Sequence, residues 1–202
     1  MLVIGLTGGI GTGKSTVSDK LAELGAVIMN ADQVGHQAFE PHTEVWKDVV
    51  AAYGKDILRP NDEIDRRKLG EIVFNDPEAL SRLNKIMHPR MYRMMRDKIE
   101  ELREQGVEVV VLEAAILIEA KWTSLVDTVW VTDVPEATVI QRLGNRDGLA
   151  EEQILARINS QMPPEERAKY ADVVINTDCT LEEVKEKVEE LWRGLCSSVE
   201  TP

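Results

Sequence analysis

A short apolar run that breaks straight into glycines constrains this chain more than any other feature. Leu2-Val3-Ile4-Gly5-Leu6 has the continuous apolar character of a strand covered on both faces. It leads through Thr7 into Gly8-Gly9-Ile10-Gly11-Thr12-Gly13-Lys14-Ser15. From Lys14 to Leu24 the apolar residues Val17, Leu21 and Leu24 recur at helical spacing, and Gly25 supplies a stop, so a helix is expected there. Ala26-Val27-Ile28-Met29 reads as a second strand, and the length of the connection suits a parallel crossover.

The glycine segment fits GxxxxGK[ST], a phosphate loop, and each position has a physical reason. Gly8, Gly9, Gly11 and Gly13 let successive amides turn inward around a phosphate at a helix N-terminus, with Thr12 and Thr16 completing the cradle. Lys14 is expected to bridge the β and γ oxygens of ATP, and the Ser15 hydroxyl to ligate Mg²⁺.

Downstream, residues 32–105 show helical periodicity and no convincing strand, punctuated at Pro41, Arg59-Pro60-Asn61-Asp62, Asn75-Asp76-Pro77 and Pro89. Four or so helices are expected. Val107–Leu112, Val126–Thr132 and Asp172–Asn176 read as strands three to five, and Leu181–Leu195 as a final amphipathic helix. The reading is an α/β fold with a five-stranded parallel sheet flanked by helices, of the P-loop NTPase type. It divides into a core (1–31, 106–143, 170–195), a helical insertion (32–105), a helical lid (144–169) and a polar tail (196–202).

With 202 residues, 43% of them hydrophobic, the chain has the length and composition of one substantial domain rather than two. A net charge of −12 disfavours a broad nucleic-acid surface but leaves room for a local anion site. No apolar run reaches the length of a membrane span, Met1–Leu6 leads directly into structure, and Cys179 and Cys196 lack metal-type spacing. A cytoplasmic protein with free thiols, no membrane association and a small-molecule substrate is expected.

Phosphoryl transfer needs a carboxylate to orient or deprotonate the acceptor hydroxyl, and Asp32, just past strand two, is the candidate base. The competing reading makes it the N-cap of a helix over Gln33–Phe39. Asp32-Gln33-Val34-Gly35 also matches the DxxG of GTPases, but no guanine-reading NKxD follows. Arg142, Arg146 and Arg157, around the turn Asn145-Arg146-Asp147-Gly148, suit a lid that closes over γ-phosphate; each alone also fits a solvated helix face.

Taken together these residues resemble the dephospho-CoA kinase family. The resemblance runs from Ile4-Gly5-Leu6-Thr7-Gly8-Gly9-Ile10-Gly11 through Asn30-Ala31-Asp32, Asp65-Arg66 with Leu69 and Val73-Phe74, Met87-His88-Pro89 and Leu117-Ile118-Glu119. It continues in Gln141-Arg142, Arg146-Asp147-Gly148, Arg157 with Gln161, and Val174-Ile175-Asn176. It implies that Asp32 is catalytic, together with Lys14, Arg142 and Arg146. It also implies that the helical insertion is acceptor-binding, that Arg66, His88 and Glu119 face dephospho-CoA, and that Arg142, Arg157 and Asn176 belong to the ATP side. On the residues alone, His88 reads as a cap at a helix break before Pro89. Many bacterial members carry a proline where this chain has Ala115, and Glu113 replaces a more usual aspartate or apolar residue. The segment Val111–Trp122 is similar to the kinase domain of animal bifunctional CoA synthases. Glu113 either orients water ligands of Mg²⁺ or is a simple strand-end carboxylate.

Overall fold

The computed structural model describes residues 1–199, and their side chains as far as Leu195. Five strands form one sheet in the order β2-β3-β1-β4-β5: β1 (Leu2–Gly8), β2 (Val27–Asn30), β3 (Val109–Glu113), β4 (Thr128–Asp133) and β5 (Val173–Asn176). β1 pairs in parallel with β3, Leu6 opposite Glu113, and with β4, Gly8 opposite Thr132; β4 pairs in parallel with β5. The first strand is therefore the central one, and its carboxyl end lies between those of β3 and β4. That edge is where open α/β sheets place ligands.

One face of the sheet is covered by α1 (Lys14–Glu23) and α9 (Leu181–Val199). Val17 and Leu21 from α1 and Val184 and Val188 from α9 join Ile4, Leu6, Val111, Trp130 and Ile175 in a single buried cluster. Gly5 faces the other way. A Cβ there would lie 2.7 Å from Leu117 and 3.0 Å from Val126, so the chain after β3 packs against bare backbone. Three further helices follow β4: α6 (Glu136–Asp147), α7 (Glu151–Asn159) and the one-turn α8 (Pro164–Arg167). Val139 and Leu143 of α6 and Ile154 of α7 make a small core with Val134, against which Ile10 of the glycine loop packs.

The chain separates into two compact units, and the second, Asn30–Glu101, is helical. It contains α2 (Ala31–Ala38), α3 (Glu44–Tyr53), a 3-10 turn (Lys55–Ile57), α4 (Arg66–Asn75) and most of α5 (Pro77–Glu104). The starts of α2, α3 and α4 are capped by Asn30, Thr43 and Asp65, each accepting from amides of the first turn. Tyr53 Oη donates to the Ala79 carbonyl at 2.6 Å, tying α3 to α5.

Several expected boundaries shift. Strands three and four begin two residues later than their patterns suggest, at Val109 and Thr128. The break expected at Pro89 is absent, because α5 runs through it for 28 residues. Helix α6 continues through Asn145–Asp147 and ends only at Gly148, whose φ of 65° is left-handed. The last helix extends to Val199, so the first four residues of the expected tail are helical. Residues 200–202 of that tail, and the Cys196 side chain, lie outside the described part. Cys179 is a free thiol. Among the described residues no helix is long and apolar enough to cross a membrane.

Candidate active site

The glycine loop joins β1 to α1. Gly11 and Gly13 have φ of 73° and 85°, a region that side chains disfavour. Gly13 is the N-cap of α1, so that helix starts without a capping side chain, and its first turn carries no acidic residue. Its amides and dipole are thus left to an external anion.

Side chains from distant elements fix the loop's shape. Thr12 Oγ1 donates to the Gly9 carbonyl at 2.8 Å and lies 2.7 Å from Thr132 Oγ1 at the end of β4. Thr177, 2% exposed just past β5, donates to the Thr12 carbonyl at 2.9 Å. Lys14 Nζ turns back to the Gly8 and Gly9 carbonyls at 2.9 and 3.0 Å. Ser15 is exposed and Thr16 half-buried in the first turn of α1. Glu113, buried at the end of β3, accepts from Ser18 Oγ at 2.9 Å, which ties α1 to the sheet edge beneath the loop.

The three arginines make different contacts. Arg142 reaches the loop: it donates to the Thr177 carbonyl at 2.6 Å, to Thr177 Oγ1 at 3.1 Å and to the Gly11 carbonyl at 3.3 Å. Arg146 is exposed and forks onto its neighbour Asp147 at 2.7 and 2.8 Å. That contact raises the Arg146 pKa and lowers that of Asp147. Arg157 is exposed on α7. Asn176 ends β5, where its side chain accepts from the Asp178 amide at 2.7 Å.

A cavity of about 560 Å³ opens beside the loop, lined among others by Gly9, Thr12, Asp133, Gln161, Arg167 and Asn176. Arg167 is the residue that no sequence signal marked. It is 2% exposed and donates to the Ala115 carbonyl (3.1 Å), the Met162 carbonyl (3.3 Å) and Glu119 Oε1 (3.1 Å), with Thr7 Oγ1 at 3.4 Å. Glu119 is therefore engaged through one oxygen. Arg167→Ala is expected to destabilise the fold by about 3 kcal/mol, near the lower end for a buried pair losing one partner, since Glu119 keeps 29% side-chain exposure. Chemical denaturation checks this, and a loss below about 1 kcal/mol would remove the anchor role.

In the helical unit, Asp32 is the second residue of α2, and Asn30 does the capping that the competing reading gave to Asp32: Asn30 Oδ1 accepts from the Asp32 and Gln33 amides at 2.9 and 3.3 Å. Asp32 is exposed, and its carboxylate has no protein hydrogen bond among the described residues. Arg66 opens α4 with its guanidinium carbon 5.7 Å from the centre of the Phe39 ring. His88 lies within α5 rather than at a break, and burial holds its pKa below the usual imidazole value.

A parallel sheet whose central strand feeds a phosphate loop, with a helical insertion and a helical segment beyond β4, is the architecture of a P-loop kinase. The dephospho-CoA kinase family model matches residues 2–183. Dephospho-CoA kinases of Geobacter sulfurreducens and Carboxydothermus hydrogenoformans are each 46% identical, over 95% and 92% of this chain and 98% and 90% of theirs. Among solved structures, a Campylobacter jejuni dephospho-CoA kinase superposes with TM-score 0.74 at 26% identity, covering 97% of this chain and 98% of that one. A Thermus thermophilus protein, TT1252, gives 0.80 at 30% identity over 96% and 97%. The chain belongs to the dephospho-CoA kinase family. A shikimate kinase from Acinetobacter baumannii, 15% identical with TM-score 0.59, shares the fold.

Proposed function

We infer that this chain transfers the γ-phosphoryl group of ATP to the ribose 3′-hydroxyl of dephospho-CoA, giving coenzyme A and ADP in the last step of coenzyme A synthesis. The observation that carries this is an intact phosphate loop, with Lys14 and an open α1 N-terminus, in a chain that matches dephospho-CoA kinases over nearly its whole length.

In the step itself, the acceptor oxygen bonds to the γ-phosphorus, the bond from that phosphorus to the β,γ-bridging oxygen breaks, and the hydroxyl proton passes to Asp32. Amides of Gly9 and of Gly11 to Thr16 hold the phosphates. Lys14 moves from the Gly8 and Gly9 carbonyls to the β and γ oxygens, where its charge offsets what builds up in the transition state. Arg142 and Arg146 neutralise transferred charge, Arg142 from its place on the loop; Arg157 and Asn176 serve the nucleotide side. Arg66, His88 and Glu119 serve the acceptor, and residues 144–169 act as the lid.

Mg²⁺ fits the donor set. Ser15 presents a hydroxyl in the open first turn of α1, and no group of three or more potential metal-binding side chains occurs among the described residues. That suits an ion held by one protein oxygen and by phosphates rather than in a protein cage. Bound at Ser15, the ion would supply charge neutralisation at the phosphate oxygens.

Coupled ADP release from ATP tests the assignment, with dephospho-CoA compared against nucleosides, nucleoside monophosphates and no acceptor. A large dephospho-CoA-dependent rate is expected. Turnover confined to another acceptor would overturn the substrate, and ATP binding without turnover on any acceptor would overturn the kinase.

A further inference from the structure

Ile10 is the third residue of the phosphate loop and is held from two directions. Its side chain packs into the small core of Val134, Val139, Leu143 and Ile154. Its amide donates to Gln161 Oε1 at 2.9 Å, across 151 residues of sequence. A backbone amide can only donate, so this bond fixes which end of the Gln161 carboxamide faces the loop. The oxygen is on Ile10, and the NH₂ group makes no protein hydrogen bond among the described residues. Gln161 lines the cavity beside the loop together with Gly9, Ile10 and Thr12. A Cβ on Gly9 would lie 3.5 Å from Gln161 Oε1, so the carboxamide sits directly over the bare start of the loop.

Gln161 does not ride on a free hairpin. Its neighbour Met162 gives its carbonyl to Arg167, which is also fixed on the Ala115 carbonyl and on Glu119. The end of the segment beyond α7 is thereby fastened to the chain that follows β3, and Gln161 is delivered to one place.

We propose that Gln161 is a nucleotide-sensing residue of the phosphate loop: its NH₂ group donates to the terminal phosphate of the bound triphosphate, while its oxygen holds the Ile10 amide, and Arg167 positions it. The inference rests on the ATP-binding reading of the loop and is independent of the acceptor. It predicts discrimination between nucleotides that differ only in the γ-phosphate, because a donor meeting the terminal phosphate contributes to ATP and not to ADP.

Binding of a non-hydrolysable ATP analogue and of ADP, measured by calorimetry without acceptor, gives an affinity ratio for each variant. Gln161→Ala loses both contacts without adding charge and is the decisive variant, whereas Gln161→Glu keeps an acceptor for the Ile10 amide, loses the donor and adds a negative charge that repels the phosphates. Each is expected to lower the ratio of ATP-analogue to ADP affinity about tenfold, the scale of one hydrogen bond to a charged group. Arg167→Lys, which keeps the charge and loses the fork, should lower it in the same direction. Equal weakening of both nucleotides in the Gln161 variants would mean that the side chain merely braces the loop, and an unchanged ratio would likewise overturn the assignment. No binding of the ATP analogue to the unsubstituted chain would instead overturn the nucleotide reading itself.

Discussion

Asp32→Asn is expected to lower kcat by about 10²–10⁴-fold, the contribution of a positioned general base, while ATP affinity stays close to that of the parent chain. The structure makes this a clean substitution. Asn30 caps α2, so the Asp32 carboxylate is not needed to start the helix, and it has no protein hydrogen bond among the described residues to lose. The charge at the second helical position contributes about 0.3–1 kcal/mol through the helix dipole, a small cost to folding when removed. Nearly the whole effect should therefore fall on the chemical step. Steady-state rates with dephospho-CoA, beside an ATP titration and a thermal melt, separate the three quantities. Turnover within a few-fold of the parent would take Asp32 out of the mechanism, whatever happened to stability.

The first strand, the loop and α1 were legible because local patterns there agree: an apolar run, glycines where the backbone must take positive φ, then helical spacing. The sheet followed from the same logic, and its parallel order matches the alternation of strands and helices. Local rules failed where distant packing outweighed them. Proline within a helix costs about 3 kcal/mol, which is why Pro89 reads as a break. Met87, Met91, Met95 and Ile99 are buried at four-residue spacing along α5, and at about 1.5–3 kcal/mol each their burial exceeds that cost. Asn30 and Asp32 are both good caps by composition. The choice between them depends on where β2 ends, and it ends at Asn30.

The contacts that support the site were not legible, although the resemblance pointed to Gln161 itself. Thr177 holds a carbonyl 165 residues away, Gln161 an amide 151 away, and Arg167 approaches Thr7 across 160. Nothing in the neighbouring residues marks an arginine of a short polar helix as almost wholly buried. Its role comes from the meeting of the segment beyond α7 with the ends of β1 and β3, which only the folded chain brings about. The chemistry-bearing residues were visible because a phosphate dictates their types and spacing. The residues that hold them in place answer to a topology.

Lys14→Met should lower kcat/KM by about 10²–10³-fold, the loss typical of removing one preorganised electrostatic donor from a transition state. Methionine keeps an unbranched chain of similar reach and removes only the charge. Lys14 Nζ sits on the Gly8 and Gly9 carbonyls, whose other contacts include Thr12 Oγ1 on Gly9, so the loop retains a support after substitution. Stability should accordingly change by no more than about 1 kcal/mol, the net value of an ordinary hydrogen bond. Lys14→Arg should not restore the rate, because a planar fork does not replace a compact point charge at a glycine-lined turn. The contrast with Asp32 is the informative part. Loss of the base should leave ATP affinity intact, whereas loss of the lysine should raise the KM for ATP as well as lower kcat, since its charge meets the phosphates before and during transfer. A Lys14→Met enzyme with kcat/KM within tenfold of the parent would show that the loop amides and Arg142 carry the phosphate charge without it.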